Sequence, residues 1–131
     1  EYCPKSPRFS RAMAIVGPEA VSILVSGTAS IVQSETRFPG DAEGQTRQTL
    51  DNIEALLARA NFERHGVRRA GATLKDMVLA RVYVKRQNDY EKVRAICKQR
   101  LGELPITFAV ADVCRPDLLV EVEGMAIARR G

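Results

Sequence analysis

Two glutamates near the C-terminal end of the chain occupy alternate positions in a segment with the pattern of a β-strand. Glu121 and Glu123 alternate with Val120 and Val122, and alternate residues of a strand share one face of a sheet. A carboxyl group on the interior face of a sheet is partly desolvated, which raises its pKa and makes it available as a general acid near neutral pH. A solvated glutamate on an edge strand is the other interpretation, and the pattern alone favours it.

Arg81 is the main candidate for binding an anion. It stands among valine, leucine and Tyr83 in a segment that we predict to be the central strand. Its planar guanidinium group can hold a carboxylate through two parallel hydrogen bonds. A structural ion pair with Glu121 or Glu123 explains the same placement equally well. Two weaker candidates of the same kind are Arg11 and Arg115.

Cys114 and Gly27 stand where the wall of a pocket could be shaped. Cys114 opens a Cys-Arg-Pro-Asp segment, and the single histidine, His65, lies in a separate polar connector. A cysteine in a pocket wall is therefore favoured over an activated nucleophile. Gly27 has no phosphate-loop pattern around it, so it predicts a strand kink or the close approach of a ligand.

The composition is typical of one globular domain spanning residues 1–131, with 45% hydrophobic and 27% charged residues. A net charge of +4 is small for a dedicated nucleic-acid binder, and no apolar run reaches the length of a membrane span. Three cysteines outside any Cys-x-x-Cys pair and a single histidine argue against a zinc site. They favour a soluble protein in the reducing cytoplasm.

The first half of the chain changes from strand-like to helical periodicity. Alternating apolar residues predict an antiparallel meander of three strands, which Gly27 interrupts between the second and third: Phe9–Val16, Val21–Ser26 and Thr28–Gln33. Apolar residues then recur every three or four positions, which predicts a helix from Asp41 to about Arg64 with Asp41 as its N-cap.

The second half predicts a strand, a helix and two further strands. The strand is Met77–Val84, and a capping box at Asn88–Glu91 opens a helix that ends before Gly102. The last two strands are Ile106–Val113 and Leu118–Ala128, with Gly124 as a candidate bulge. The order βββ-α-β-α-ββ indicates a two-layer α+β domain in which both helices cover one face of a mixed sheet. The other face is also apolar, so we expect it to pack against another copy or another domain.

Read as a whole, the sequence resembles the YjgF-type, or reactive-intermediate deaminase, family. The resemblance rests on five segments: Ser6–Ala12, Val25–Gly27, Gln45–Ile53, Ala80–Val84 and Leu119–Glu123. It implies a trimer with ligand sites in the clefts between subunits. The family's deaminases carry an arginine after the proline that opens the penultimate strand and a tyrosine in the first strand. Here the segment Leu104–Phe108 has no arginine and Phe9 replaces the tyrosine, which argues against imine deamination.

A closer resemblance is to the chorismatase family, whose C-terminal half has this same fold. It rests on four segments: Ser6–Phe9, Ser26–Val32, Pro39–Asp41 and Asp112–Glu121. Chorismatases are about twice as long, and their N-terminal half precedes the segment seen here as Tyr2–Pro7. Because the chain also lacks an initial Met, we expect it to be the C-terminal part of a longer protein.

The chorismatase resemblance implies an enzyme that removes the enolpyruvyl group of chorismate. The glutamate matching Glu121 is the acid, and the pair matching Gly27 and Cys114 accompanies formation of 3-hydroxybenzoate and pyruvate. Chorismate is a dianion, and no metal or redox cofactor is expected. The residues that would hold its carboxylates are Arg81, Arg11, and Tyr2 or Tyr83. The alternatives are a YjgF-type trimer that acts on imines and a trimer that binds a small molecule without turnover.

Overall fold

The computed structural model describes residues 11–113 and 115–131. Tyr2, Cys114 and the first residues of the strand predicted at Phe9–Val16 lie outside the described residues, and so do the segments before Arg11 that carry part of the resemblance. The expectations placed on them stay predictions.

The described residues form one five-stranded sheet, one small hairpin and three α-helices. The elements are, in order, β1 Ala12–Val16, β2 Ala20–Thr28, β3 Ile31–Val32, β4 Glu35–Thr36, α1 Ala42–Leu57, α2 Arg59–Arg64, β5 Met77–Val84, α3 Tyr90–Leu101, β6 Ile106–Val110 and β7 Val120–Arg129. The sheet order is β1-β2-β7-β5-β6. All neighbours are antiparallel except β5 and β6, so the α+β class with a mixed sheet is confirmed.

The predicted break at Gly27 is a bulge within a strand. β2 continues through Gly27 to Thr28, and between Val25 and Thr28 two residues face the single residue Glu123 of β7. An extra residue of this kind bends a strand and increases its local twist. The predicted third strand of the meander was wrong, because Ile31–Val32 pairs with β4 in a separate hairpin. The prediction of a bulge at Gly124 was wrong too, since Gly124 is in register with Val25 and Ala80.

The long helix predicted from Asp41 to Arg64 is two helices. Asp41 caps the first as predicted, because its carboxylate accepts a hydrogen bond of 2.9 Å from the backbone N–H of Gly44. Ala58 then adopts an extended conformation (φ −63°, ψ 147°), so Ala60 leaves the apolar face and is exposed. The capping box predicted for α3 was also wrong. A short 3-10 turn at Gln87–Asp89 leads into that helix, and its N-cap residue Asp89 makes no side-chain cap hydrogen bond.

The helices cover one face of the sheet and enclose the core with it. Leu50, Ile53 and Leu57 of α1 are fully buried; they belong to the same cluster as Val93 of α3 and Val122 of β7. Burying each such side chain contributes about 1.5–3 kcal/mol. The helical spacing that predicted this face of α1 is therefore confirmed at its centre.

No helix among residues 11–113 and 115–131 covers the other face of the sheet, which is largely apolar at one end. Met13 and Ile15 of β1 are 59% and 62% exposed, and Leu24 and Ile127 lie on the same face. Strict alternation would place Val78 on the helix side with Ala80, but a register shift between Met77 and Leu79 turns Val78 outward. We call this uncovered side the outer face.

Candidate functional site

The two glutamates lie on the outer face, at the end of the sheet opposite the apolar residues of β1. Val120 and Val122 are fully buried on the helix side of β7, so Glu121 and Glu123 face outward. Glu121 is half-buried and pairs with Tyr83 of β5 across the sheet. The bulge of β2 lies on its other side. The shared face that the alternation predicted is confirmed, and neither glutamate is on an edge strand.

Gly27 makes room for the carboxyl group of Glu121. A Cβ atom on Gly27 would lie 3.0 Å from the carboxyl carbon of Glu121 and 3.1 and 3.2 Å from its two oxygens. Glycine therefore lets the carboxyl group rest against the backbone of β2, which shields it partly from water. This burial raises the pKa of Glu121, and the negative charge of Glu123 raises it further. The sequence expectation of a partly desolvated acid agrees with this placement.

Arg81 and Tyr83 converge on a single oxygen of Glu123. The Nη1 group of Arg81 lies 3.1 Å from Oε1 of Glu123, and the Tyr83 hydroxyl donates a hydrogen bond of 2.8 Å to the same atom. This hydrogen bond, followed by burial, raises the pKa of Tyr83. The ion pair left open by the sequence is thus present, with Glu123 as its partner. The side chain of Arg81 is still 59% exposed, so much of its guanidinium group faces solvent.

A shallow cavity of about 240 Å³ opens on the outer face beside this cluster. Arg81 and Glu123 form its charged side, and Gly124 is part of its lining; the apolar lining is Leu24, Leu79 and Met125. A side chain at Gly124 would collide with the β5 backbone, since its Cβ would lie 2.5 Å from the carbonyl oxygen of Leu79. The cavity combines an apolar wall with a cation, a combination that suits an organic anion.

Arg11 lines a different cavity. That cavity measures about 340 Å³ and is bounded by β3, α1 and α2, with Asn52 and Arg64 among its lining residues. The backbone carbonyl of Arg11 accepts a hydrogen bond of 2.9 Å from the Ser26 N–H. The structure therefore brings Arg81, Tyr83, Gly27 and Glu121 together on the outer face, whereas a role for Arg11 stays a prediction.

Gln45 is a positioning residue that the sequence interpretation missed. It is completely buried on α1, yet its amide makes three hydrogen bonds to the backbone. Nε2 donates to the carbonyl oxygens of Phe38 (3.2 Å) and Asp117 (2.9 Å), and Oε1 accepts from the N–H of Leu119 at 2.8 Å. The four-residue steps from Gln45 to Thr49 and Ile53 were the signal that would have placed it on the buried side.

The loop that leads into β7 is also held from two other sides. Lys85 at the end of β5 donates to the carbonyl oxygen of Pro116 at 2.7 Å. Arg115 donates to the carbonyl oxygen of Ser34 at 3.1 Å, which ties the loop to the β3–β4 hairpin. With Gln45, these contacts fix the position at which the chain enters β7, and therefore the position of Glu121.

Other reactive groups of the described residues do not join the site. Cys97 is completely buried among apolar side chains, and burial raises the pKa of its thiol to about 12. Across residues 11–113 and 115–131, no three side chains of the metal-binding types come together. Within the same ranges, no helix is both long and apolar enough to cross a lipid bilayer.

The fold and the site define an α+β domain with a half-buried carboxylic acid and an adjacent arginine on an open sheet face. The family model described as Endoribonuclease L-PSP matches residues 5–128. The chain belongs to this family, and the YjgF-like fold expected from the sequence is confirmed.

Individual relatives give a narrower similarity. The chain is 41% identical over 128 residues to a chorismatase from Streptomyces hygroscopicus, and this match covers 95% of the chain and 36% of the relative. It is 39% identical over 131 residues to a 3-hydroxybenzoate synthase from the same organism, covering 96% and 38%. A crystal structure of a chorismatase superposes with a TM-score of 0.87 at 38% identity, covering 94% of the chain and 37% of that structure. The chain thus spans little more than a third of these relatives, which are therefore longer than the twofold length expected from the sequence.

Proposed function

We propose that the chain is the YjgF-like part of a chorismatase-type enzyme, which removes the enolpyruvyl group of chorismate to give 3-hydroxybenzoate and pyruvate. The observation that carries the proposal is the Glu121 carboxyl group resting against Gly27 in a half-buried site. A carboxyl group in that environment retains its proton closer to neutral pH than a solvated one. The relatives named chorismatase and 3-hydroxybenzoate synthase support the choice of substrate.

In the proposed reaction, Glu121 gives its proton to the terminal carbon of the enolpyruvyl group. The adjacent ether carbon becomes an oxocarbenium-like centre, which water or an oxygen of the substrate then attacks. If water attacks, the adduct collapses to pyruvate and a ring diol, and that diol loses a ring proton and one hydroxyl group as water to give 3-hydroxybenzoate. If the ring hydroxyl group attacks, the bond between its oxygen and the ring breaks as a ring proton is lost, and the remaining adduct collapses to 3-hydroxybenzoate and pyruvate. The two products together contain all the atoms of chorismate, so the overall conversion needs no further oxidant or reductant.

Arg81 and Tyr83 are proposed to hold the substrate close to Glu121. Chorismate carries two carboxylates, and an ordered guanidinium beside a shallow apolar cavity can bind one of them with fixed orientation. Contributions from Arg11, Tyr2 and Cys114 are part of the same proposal.

The outer face is proposed to be covered in the working enzyme. The chain spans 36–38% of the curated chorismatase relatives, and the exposed apolar residues of β1 lie on the same face of the sheet as the site. We propose that residues 1–131 are the C-terminal part of a longer protein and that its preceding part packs on the outer face. A homotrimer of this chain is the alternative cover, and the cytoplasm is the proposed location.

The direct test is to incubate chorismate with the chain and with a chimera in which the chain replaces the matching segment of the Streptomyces hygroscopicus chorismatase. Chromatography would follow 3-hydroxybenzoate and pyruvate. We expect the chimera to form both, and Glu121→Gln to slow it about a hundredfold to ten-thousandfold. Glu54→Gln, on the exposed side of α1, is the matched control. A folded chimera that binds chorismate without turnover would contradict the proposal and favour a binding protein.

A further inference from the structure

Glu123 occupies the centre of the charged cluster rather than its edge. It is two residues from Glu121 on the same face of β7, which places the two side chains about 7 Å apart along the strand. One of its oxygens receives both the Arg81 guanidinium and the Tyr83 hydroxyl. Tyr83 is also the residue directly opposite Glu121 in the sheet. The side chains that border Glu121 are therefore held by its neighbour.

Few other charges of the described residues face Glu121. β2 contributes Ser26 and Gly27 on that side, and neither titrates. At the end of β5, the ammonium group of Lys85 donates to the carbonyl oxygen of Pro116. The loop contributes Arg115, whose guanidinium donates to the Ser34 carbonyl. Burial has the largest effect on the Glu121 carboxyl group, and the negative charge of Glu123 raises its pKa further. The positive Arg81 is paired to Glu123.

We propose that Glu123 is a positioning residue for Glu121: it holds Arg81 and Tyr83 in place, and its charge, offset by Arg81, adds to the effect of burial in keeping the proton on Glu121. The inference rests on the proposed function for its catalytic meaning, because only an acid needs to retain a proton. The electrostatic coupling between Glu121 and Glu123 does not depend on that function. A like charge disfavours ionisation of a neighbouring carboxyl group, and an opposite charge favours it.

Two substitutions with opposite effects follow from this arrangement. Glu123→Gln removes the like charge but leaves an oxygen that accepts from Tyr83, so Glu121 ionises more easily and its titration midpoint falls. Arg81→Gln removes the offsetting positive charge and exposes Glu121 to the full effect of Glu123, so the midpoint rises. General damage to the fold would not move the midpoint in opposite directions.

The experiment is a pH titration of the Glu121 carboxyl carbon by NMR in the 131-residue chain, assigned with Glu121→Gln. We expect the midpoint to move to lower pH in Glu123→Gln and to higher pH in Arg81→Gln, with no change in the control Glu54→Gln. Unchanged midpoints, or shifts in the same direction, would overturn the inference. If Glu123→Gln fails to fold, Arg81→Gln still tests the inference. The Arg81 side chain is mostly exposed, so we expect this variant to fold.

Turnover by the chimera separates this inference from the proposed function. When Glu121 is the acid, the alkaline limb of the kcat profile should move in the same two directions as the NMR midpoint. Loss of turnover in every form, together with the expected NMR shifts, would refute the reaction and leave the coupling between the two glutamates intact. Active chimeras whose alkaline limb stays fixed would refute the role of Glu123.

Discussion

β7 has ten residues, and the side chains on its two faces have different roles. On the helix side, Val120, Val122 and Ala126 are fully buried in the core. On the outer side, Glu121 and Glu123 carry charge and hydrogen bonds at partial exposure. A strand whose inner residues are locked by packing can hold its outer residues at fixed positions. The comparison shows how the core supplies the rigidity that an acid on an open sheet face requires.

The largest effect on stability is expected at Gln45, which holds the backbone where the chain enters β7. Replacing it with Leu keeps the volume but leaves the Leu119 N–H and two carbonyl oxygens without their partner. Each buried polar group left unsatisfied costs about 1–3 kcal/mol. We expect urea denaturation to show a loss of about 3 kcal/mol or more. The same-type control is Gln48→Leu, because the side chain of Gln48 is only half-buried and makes one hydrogen bond, to Asn52; an equal loss there would contradict the assignment.

Val122→Ala tests the inner face of β7. Val122 is completely buried between α1 and the sheet neighbours, so truncation removes apolar contact and leaves a small cavity. The free energy of unfolding should fall by about 2 kcal/mol. The ratio of 3-hydroxybenzoate to pyruvate formed by the active chimera should stay the same. A changed product ratio would show that the two faces are not separable.

Gly27→Ala tests the outer face at the point of closest contact. The added methyl group would lie 3.0–3.2 Å from the Glu121 carboxyl atoms, which is too close, so the carboxyl group must turn away from β2. Misplacing a catalytic group by a fraction of an ångström should reduce formation of 3-hydroxybenzoate about tenfold or more. The chorismatase resemblance implies that an alanine at the position of Gly27 and a valine at that of Cys114 accompany simple hydrolysis of chorismate to a dihydroxy-diene acid, so we expect this product to increase. If the rate of 3-hydroxybenzoate formation and the ratio of products do not change, the contact between Gly27 and Glu121 does not position the acid.

The smallest effect is the dependence of stability on pH. Because burial raises the pKa of Glu121 in the folded chain, the stability linked to this group is present below its unfolded pKa and is lost as pH rises through the folded pKa. Glu121→Gln is neutral at every pH. The variant should therefore gain stability relative to the unsubstituted chain between about pH 4 and pH 8. Urea midpoints at both values measure this, and a difference that does not change with pH would contradict it.

The sequence predicted those parts of the fold that depend on local periodicity. Alternation identified β5 and placed Glu121 on the other face of its strand from Val120 and Val122. Helical spacing identified the buried side of α1. It missed features set by small local exceptions. The extra residue at Ser26–Gly27 changes the register of β2, and the extended Ala58 divides the helix.

The site was predictable in its residue types but not in its pairings. Arg81 could have paired with either glutamate, and only the strand register shows that Glu123 lies opposite Arg81 and Glu121 opposite Tyr83. Gln45 bonds to residues more than 70 positions away, a contact that no local pattern can indicate. Contacts of this kind arise from the packing of α1 on the sheet.

The central claim, that Glu121 is the acid that protonates chorismate, is tested most directly by kcat of the chimera as a function of pH. We expect kcat to fall as pH rises through the Glu121 titration measured by NMR. We also expect Glu121→Gln to remove most of the activity and this pH dependence, while the protein stays folded and still binds chorismate. A folded Glu121→Gln chimera that turns over chorismate at the unsubstituted rate would contradict the claim.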